Sequence, residues 1–222
     1  MQSVPQDGKG KKKQPQLEIK EKTVYDLVVL MDDIIRVLGD AATLAEIAAK
    51  SYIHKNGFIK LVYETIEETV CRLHIYPLGA SADKNIHDHR WDFSSVTICG
   101  SLPMSLYAII DGDSEIIHKY SKTLSSGHII QSISSCSSEL VETVHSHQLH
   151  GYYMLSHIFH RIEAVEELTI TYVETYPATS DYCHLVSFED RSGEGQVQPE
   201  PLTIEETRQA LELVVSKIAE LI

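Results

Sequence analysis

The sequence has no CxxC pair and no dense cysteine framework. Its four cysteines, Cys71, Cys99, Cys136 and Cys183, stand far apart. That spacing argues against a structural zinc ribbon and against a disulfide scaffold, and reduced, buried thiols are expected. No apolar run approaches the roughly 20 residues that span a bilayer. The first residues are polar and lack the apolar core of a secretory signal. A cytosolic (cytoplasmic) protein with no membrane partner is therefore expected. Basic residues are scarce, 19 Lys and Arg against 32 Asp and Glu, for a net charge of -13. A phosphate backbone calls for a basic face, so a nucleic-acid partner is not expected.

What the chain does have is a change of period. At 222 residues, 43% of them hydrophobic, it is long enough for one domain with additions. Residues 1–16 carry Lys9, Lys11, Lys12 and Lys13 among Gln, Gly and Pro, and read as a disordered tail. Residues 17–57 read as a helical N-terminal segment. Val24, Leu27, Val28, Leu30, Met31, Ile34, Ile35 and Leu38 form a helical stripe ended by Gly39-Asp40, and a second helix covers Ala41 to Ser51.

From Phe58 the pattern shifts to short runs rich in β-branched and aromatic residues. In Thr69 to Tyr76, Val70, Arg72, His74 and Tyr76 share one face, and Cys71, Leu73 and Ile75 share the other. Asp111-Gly112-Asp113 reads as a hairpin turn, and Cys136 to His150 gives no clear period. Strands continue to Phe188, residues 189–201 form a polar linker, and residues 202–222 form a C-terminal helix. Thr203 and Glu206 make a capping box at that helix's start. Many short strands with frequent turns predict a closed or sandwiched β-structure over residues 58–188.

Two histidine runs carry the chemistry. His87-Asp88-His89 lies between strand-like runs, and residues i and i+2 of a strand share a face. The pair can aim two imidazoles at one metal ion. Two such residues also occur as ordinary partly buried polar groups, and the spacing does not separate these readings. A second run, Ser156-His157-Ile158-Phe159-His160-Arg161, offers His160 or His157 as a third ligand. On a strand these two point to opposite faces, so only one of them serves. His145, His147 and His150 read as surface or loop residues.

These residues resemble cupins of the cysteine dioxygenase (thiol dioxygenase) type. The resemblance rests on His87-x-His89, Gly100 a strand later, and His160-Arg161-Ile162-Glu163. Phe58-Ile59-Lys60-Leu61-Val62 and Tyr176-Pro177 followed by Cys183-His184 extend it, so that it covers residues 23–188. It implies a mainly β cupin, a small β-barrel or jelly roll with two N-terminal helices and a C-terminal helix. It also implies Fe(II) held by His87, His89 and His160, and O2 addition to a small thiol to give a sulfinate. Lys60 stands where the family has an Arg that grips the substrate carboxylate, and Tyr176 is expected to donate a hydrogen bond to bound O2 or carboxylate.

Usual cupins have a Glu four or five residues after the second His. Here Phe93 and Ser94 stand there, which favours three histidines, with Asp92 left as a possible assistant. Ser94 replaces the family's cross-linking Cys, and Tyr172 and Glu174 replace its Ser and His relay. Arg90 is expected to face solvent or to sit in a salt bridge. A cupin oxygenase acting on another small or specialised metabolite, and a cupin that binds metal or ligand without turnover, remain alternatives.

Overall fold

The computed structural model describes residues 18–21, 24–80, 85–122, 128–193 and 199–222. The expected tail over residues 1–16 lies outside them. The described residues form three helices, α1 (Val24–Gly39), α2 (Ala41–Lys50) and α3 (Ile204–Ala219), beside a strand-rich body. Asp40 caps α2 by accepting from the Ala42 N–H at 3.0 Å. Thr203 caps α3 through the reciprocal pair that the sequence announces: Glu206 N–H to Thr203 Oγ1 at 3.1 Å, and Thr203 N–H to Glu206 Oε2 at 2.8 Å.

The strands are β1 (Glu18–Glu21), β2 (Tyr52–Ile53), β3 (Ile59–Ile66), β4 (Thr69–Tyr76), β5 (Ile86–His87) and β6 (Trp91–Cys99). They continue with β7 (Ser101–Lys122), β8 (His128–His147), β9 (His150–Met154), β10 (Phe159–Ile162), β11 (Thr169–Ala178) and β12 (Tyr182–Ser187). One sheet runs β1-β9-β6-β11-β4-β3-β2 and the other β10-β5-β12-β7-β8. The pairings are antiparallel, and the product is a mainly β, jelly-roll-like pair of sheets.

The alternation of β4 decides how the seven-stranded sheet is used. Its Cys71, Leu73 and Ile75 join Leu61, Ile98 and Ile170 on the outer face. There they pack against Leu27 and Ile34 of α1, Leu44 and Ile47 of α2, and Leu211, Val214 and Ile218 of α3. Each fully buried aliphatic side chain stabilises the fold by about 1.5–3 kcal/mol relative to its exposed state. The opposite face, with Arg72, His74 and Tyr76, looks into the space between the sheets. The helices thus occupy the face that is apolar, and the polar face is left for the interior.

Three expectations change. The N-terminal segment is not wholly helical: β1 pairs Glu18 with Tyr153 and Glu21 with His150 of β9, and β2 pairs Tyr52 with Lys60. Asp111-Gly112-Asp113 does not reverse the chain. It sits in a bulge between Ile110 and Glu115, after which β7 resumes pairing with the same partner, β8. Glu115 supports the bulge, its carboxylate accepting the Ser138 N–H at 2.6 Å. Cys136 to His150, which lacks a clear period, is most of β8, a turn and the start of β9.

Candidate metal centre and the cavity around it

The register of the smaller sheet brings the two histidine runs together. β5 is two residues long and lies between β10 and β12, with His87 directly across from His160 on one side and Leu185 on the other. Directly opposed residues have Cβ atoms about 4.5–5.5 Å apart, so the two imidazoles share a face. His89 lies just past β5, before the bend at Arg90, and its backbone N–H donates to Ser156 O at 2.8 Å. Asp92 holds the same loop, accepting from the Ser156 N–H at 2.6 Å and the Tyr153 hydroxyl at 2.9 Å.

The ring nitrogens of His87, His89 and His160 lie within 4.8 Å of one another. His89 Nε2 and His160 Nε2 are 3.4 Å apart. His87 Nδ1 faces the Asn85 carbonyl at 3.2 Å, and His160 Nδ1 faces the Ile158 carbonyl at 3.2 Å. Each carbonyl fixes a tautomer in which Nδ1–H donates and the Nε2 lone pair is left for a metal. Burial lowers the His160 pKa to about 3, helped by nearby His87, and burial first and the other imidazoles second hold His89 well below the usual range. Neutral imidazoles are the form that binds a cation. The three side chains fit a single metal ion, and the all-nitrogen donor set suits iron, zinc, copper or nickel.

Neighbouring residues brace this set. The Asp88 side chain is buried and binds the backbone N–H of His184, and its Oδ2 lies 2.7 Å from His184 Nδ1, tying the His87-Asp88-His89 segment to β12. Trp91 stacks on His89 with ring centroids 6.1 Å apart, and Phe93 meets it edge-on at 5.0 Å.

The triad opens into a cavity of about 680 Å³ between the two sheets. Lys60, Arg72, His74, Arg90, Trp91, Tyr152, Thr171 and Cys183 are among its lining residues. Burial first, then the charges of Arg72 and Arg90, lower the Lys60 pKa to about 7. Burial raises the Cys183 thiol to about 11, so it is not a thiolate at neutral pH.

Lys60 predicts a pH-dependent stability. At high pH the amine is neutral in both states. As pH falls from its ordinary 10.5 towards about 7, the unfolded chain takes up a proton that the folded chain does not, and stability declines. Below that window the penalty is complete. Lys60→Met is therefore expected to flatten this slope and to be more stable than the parent at pH 6, by an amount on the order of a few kcal/mol. Urea unfolding of both proteins at pH 6, 8 and 10 checks it, and parallel pH curves would refute it.

Not every candidate reaches the centre. Tyr176 does not line the cavity. The register Glu174 opposite Ser94 places Glu174 and Tyr176 on the outer face of β11, and the Tyr176 hydroxyl meets Ser94 Oγ at 3.1 Å. The expected contact with bound O2 or carboxylate has no path in this arrangement. Asp92 is also apart from the triad, because the Ser156 and Tyr153 donors occupy its two oxygens. His157 is exposed in the turn before β10. His145, His147 and His150 are exposed, with rings 5.9 and 6.1 Å apart in succession. Arg90, expected to face solvent or a salt-bridge partner, instead lines the cavity and stacks over Trp91 at 4.8 Å, because the chain bends at Arg90 and does not continue a strand there. Arg72 and His74 were not singled out in the sequence, although their shared face was visible in it.

No protein-family model matches the sequence, and no curated protein is significantly similar to it. Among solved structures, a prolyl-4-hydroxylase from Pseudomonas putida aligns with a TM-score of 0.37 and 9% identity, covering 73% of this chain and 93% of that one. A Drosophila melanogaster CENP-C structure, bound to CAL1, aligns with a TM-score of 0.25 and 7% identity, covering 67% and 94%. Likenesses this distant carry no functional information. No helix among the described residues is long and apolar enough to cross a membrane.

Proposed function

We propose that the protein is a mononuclear non-haem Fe(II) oxygenase of cupin type, with His87, His89 and His160 as its metal ligands. The observation that carries this reading is the convergence of three buried or half-buried imidazoles on one point at the wall of a large cavity. When bound, iron supplies open coordination positions and the one-electron chemistry that lets O2 react with an organic substrate. The carbonyls of Asn85 and Ile158 hold the protons on Nδ1 of His87 and His160. Trp91 and Phe93 keep the His89 ring in place and exclude water from one side of it. Lys60 Nζ meets the acidic end of the substrate.

The finer reading is oxidation of a small thiol to a sulfinate, a reaction in which both oxygen atoms of O2 end on sulfur. One observation favours a different substrate: about 680 Å³ lies in the range of roughly 300–1,000 Å³ that encloses a drug-sized ligand. The experiment is metal analysis of anaerobically purified protein, then O2 uptake with cysteine, 3-mercaptopropionate and cysteamine. About one iron per chain and uptake with one thiol supports both parts. Iron without uptake on any thiol removes the thiol and keeps the oxygenase. Failure to hold iron after anaerobic reconstitution removes the whole reading.

A further inference from the structure

The interior face of β4 carries an arrangement that metal binding does not use. Arg72 and His74 lie two residues apart on this strand, and both line the cavity. Arg72 Nε and His74 Nε2 are buried without a hydrogen-bond partner, as is Thr171 Oγ1 on the neighbouring strand. Lys60 stands across from His74, and Thr171 stands on its other side, so Lys60, His74 and Thr171 form one row across β3, β4 and β11. Arg72 lies over Trp91 at 5.1 Å, and Arg90 lies over the same ring at 4.8 Å.

No carboxylate among the described residues forms an ion pair with Lys60, Arg72 or Arg90. Glu163, an acidic side chain at the cavity wall, is engaged by Arg161 through two hydrogen bonds of 3.0 and 2.8 Å. Cations grouped in an enclosed space repel one another, and a buried donor without an acceptor is destabilising. Acidic residues exceed basic ones throughout this protein, yet its interior gathers positive charge. An anion supplied from outside satisfies both the orphaned donors and the charge.

The wall beside this cluster is apolar and flat. Phe58 stacks on Tyr76 with centroids 4.6 Å apart, and Ala80 and Leu102 complete that patch. Trp91 links the cation cluster to His89.

We infer that the cavity is a binding site for an organic carboxylic acid larger than an amino acid, with its carboxylate on Arg72 and its planar apolar body against Phe58 and Tyr76. Arg72 is the specificity-determining residue, since its guanidinium offers a carboxylate two parallel donors. Lys60 and His74 supply the remaining hydrogen bonds. The inference names the substrate class of the proposed oxygenase, but the binding does not require the metal.

The test uses the full chain stripped of metal by chelation, so that carboxylate coordination to a metal contributes nothing. The probes are 3-phenylpropanoate, the neutral 3-phenylpropanamide and acetate, titrated by calorimetry and by fluorescence of Trp91, the single tryptophan. The acid is expected to bind at least about 10-fold more tightly than either the amide or acetate. Arg72→Gln is expected to lose at least about 10-fold in affinity for the acid and to abolish the preference over the amide. Lys50→Gln, at the exposed end of α2, is expected to bind as the parent does. Equal binding of acid and amide by the parent, no binding of the acid, or unchanged binding by folded Arg72→Gln overturns the inference. The parent's comparison of acid with amide stands even if the variant fails to fold. A protein that holds iron but shows no acid preference refutes this inference alone, and one that prefers the acid but holds no iron refutes only the oxygenase.

Discussion

His160→Ala is expected to weaken iron binding at the proposed centre by more than about 100-fold while leaving a folded protein. Loss of an outer hydrogen-bond partner of a metal ligand alone costs roughly 10–100-fold, and this change removes a ligand outright. His160 sits where the two histidine runs meet: across the sheet from His87, and 3.4 Å from His89 through the Nε2 atoms. Among the described residues no further His, Cys, Asp or Glu groups with these three, Asp92 is committed to Ser156 and Tyr153, and His157 is exposed. Iron content after desalting, read beside far-ultraviolet circular dichroism, measures the effect. A folded variant that keeps stoichiometric iron would refute the three-histidine site. Tyr176→Phe makes the contrasting case. Its hydroxyl faces Ser94 on the outer side of β11, so iron content and any turnover are expected to stay within about threefold of the parent, below 1 kcal/mol.

Gly100→Ala is expected to destabilise the fold by an amount on the order of 3–5 kcal/mol, among the larger effects a single substitution produces. Gly100 joins β6 to β7 with φ of 75°, in the left-handed region where other L-residues are strained by about 1–2 kcal/mol. A Cβ there would also press into the Leu168 carbonyl and lie 2.9 Å from Thr169 Cα. Those are backbone atoms of the chain leading into β11, so relief requires moving a central strand of the larger sheet. Gly57→Ala separates the two causes. Its φ is 81° but nothing lies within 4 Å of the new Cβ, so only the conformational cost of about 1–2 kcal/mol is expected. Urea unfolding of the two variants checks this, and equal losses would show that crowding at Gly100 contributes nothing.

The parts of this structure legible in the sequence are those set by local rules. The stripe of α1, the Thr203 capping box and the two-faced pattern of β4 each depend on neighbours a few residues away. The pairing of His87 with His160 was reached through resemblance, since no local rule specifies a partner 73 positions on. What escaped depends on tertiary neighbours. Glu18–Glu21 holds a single apolar residue, Ile19, too short an alternation to mark a strand, and forms β1 by pairing with β9. The two faces of β4 were readable, but the covering of the apolar face by α1, α2 and α3 was not, and that covering is what turns Arg72 and His74 inward. Tyr176 shares the motif's sequence spacing but not its direction, because the register of β11 on β6 decides which side a residue takes.

The helical layer over the larger sheet also sets an order of events during synthesis. Leu27 and Ile34 of α1 bury their side chains partly against Leu211, Val214 and Ile218 of α3. Residues 204–219 leave the ribosome long after α1 has emerged. Throughout that interval the apolar side of α1 lacks one of its covers, and β1 waits for β9. Nascent chains of this protein therefore expose an amphipathic helix until α3 appears, a surface of the kind that holdase chaperones bind. Ribosome-stalled chains ending before residue 204 are expected to be captured by such chaperones, and chains extending well past residue 222 to be released.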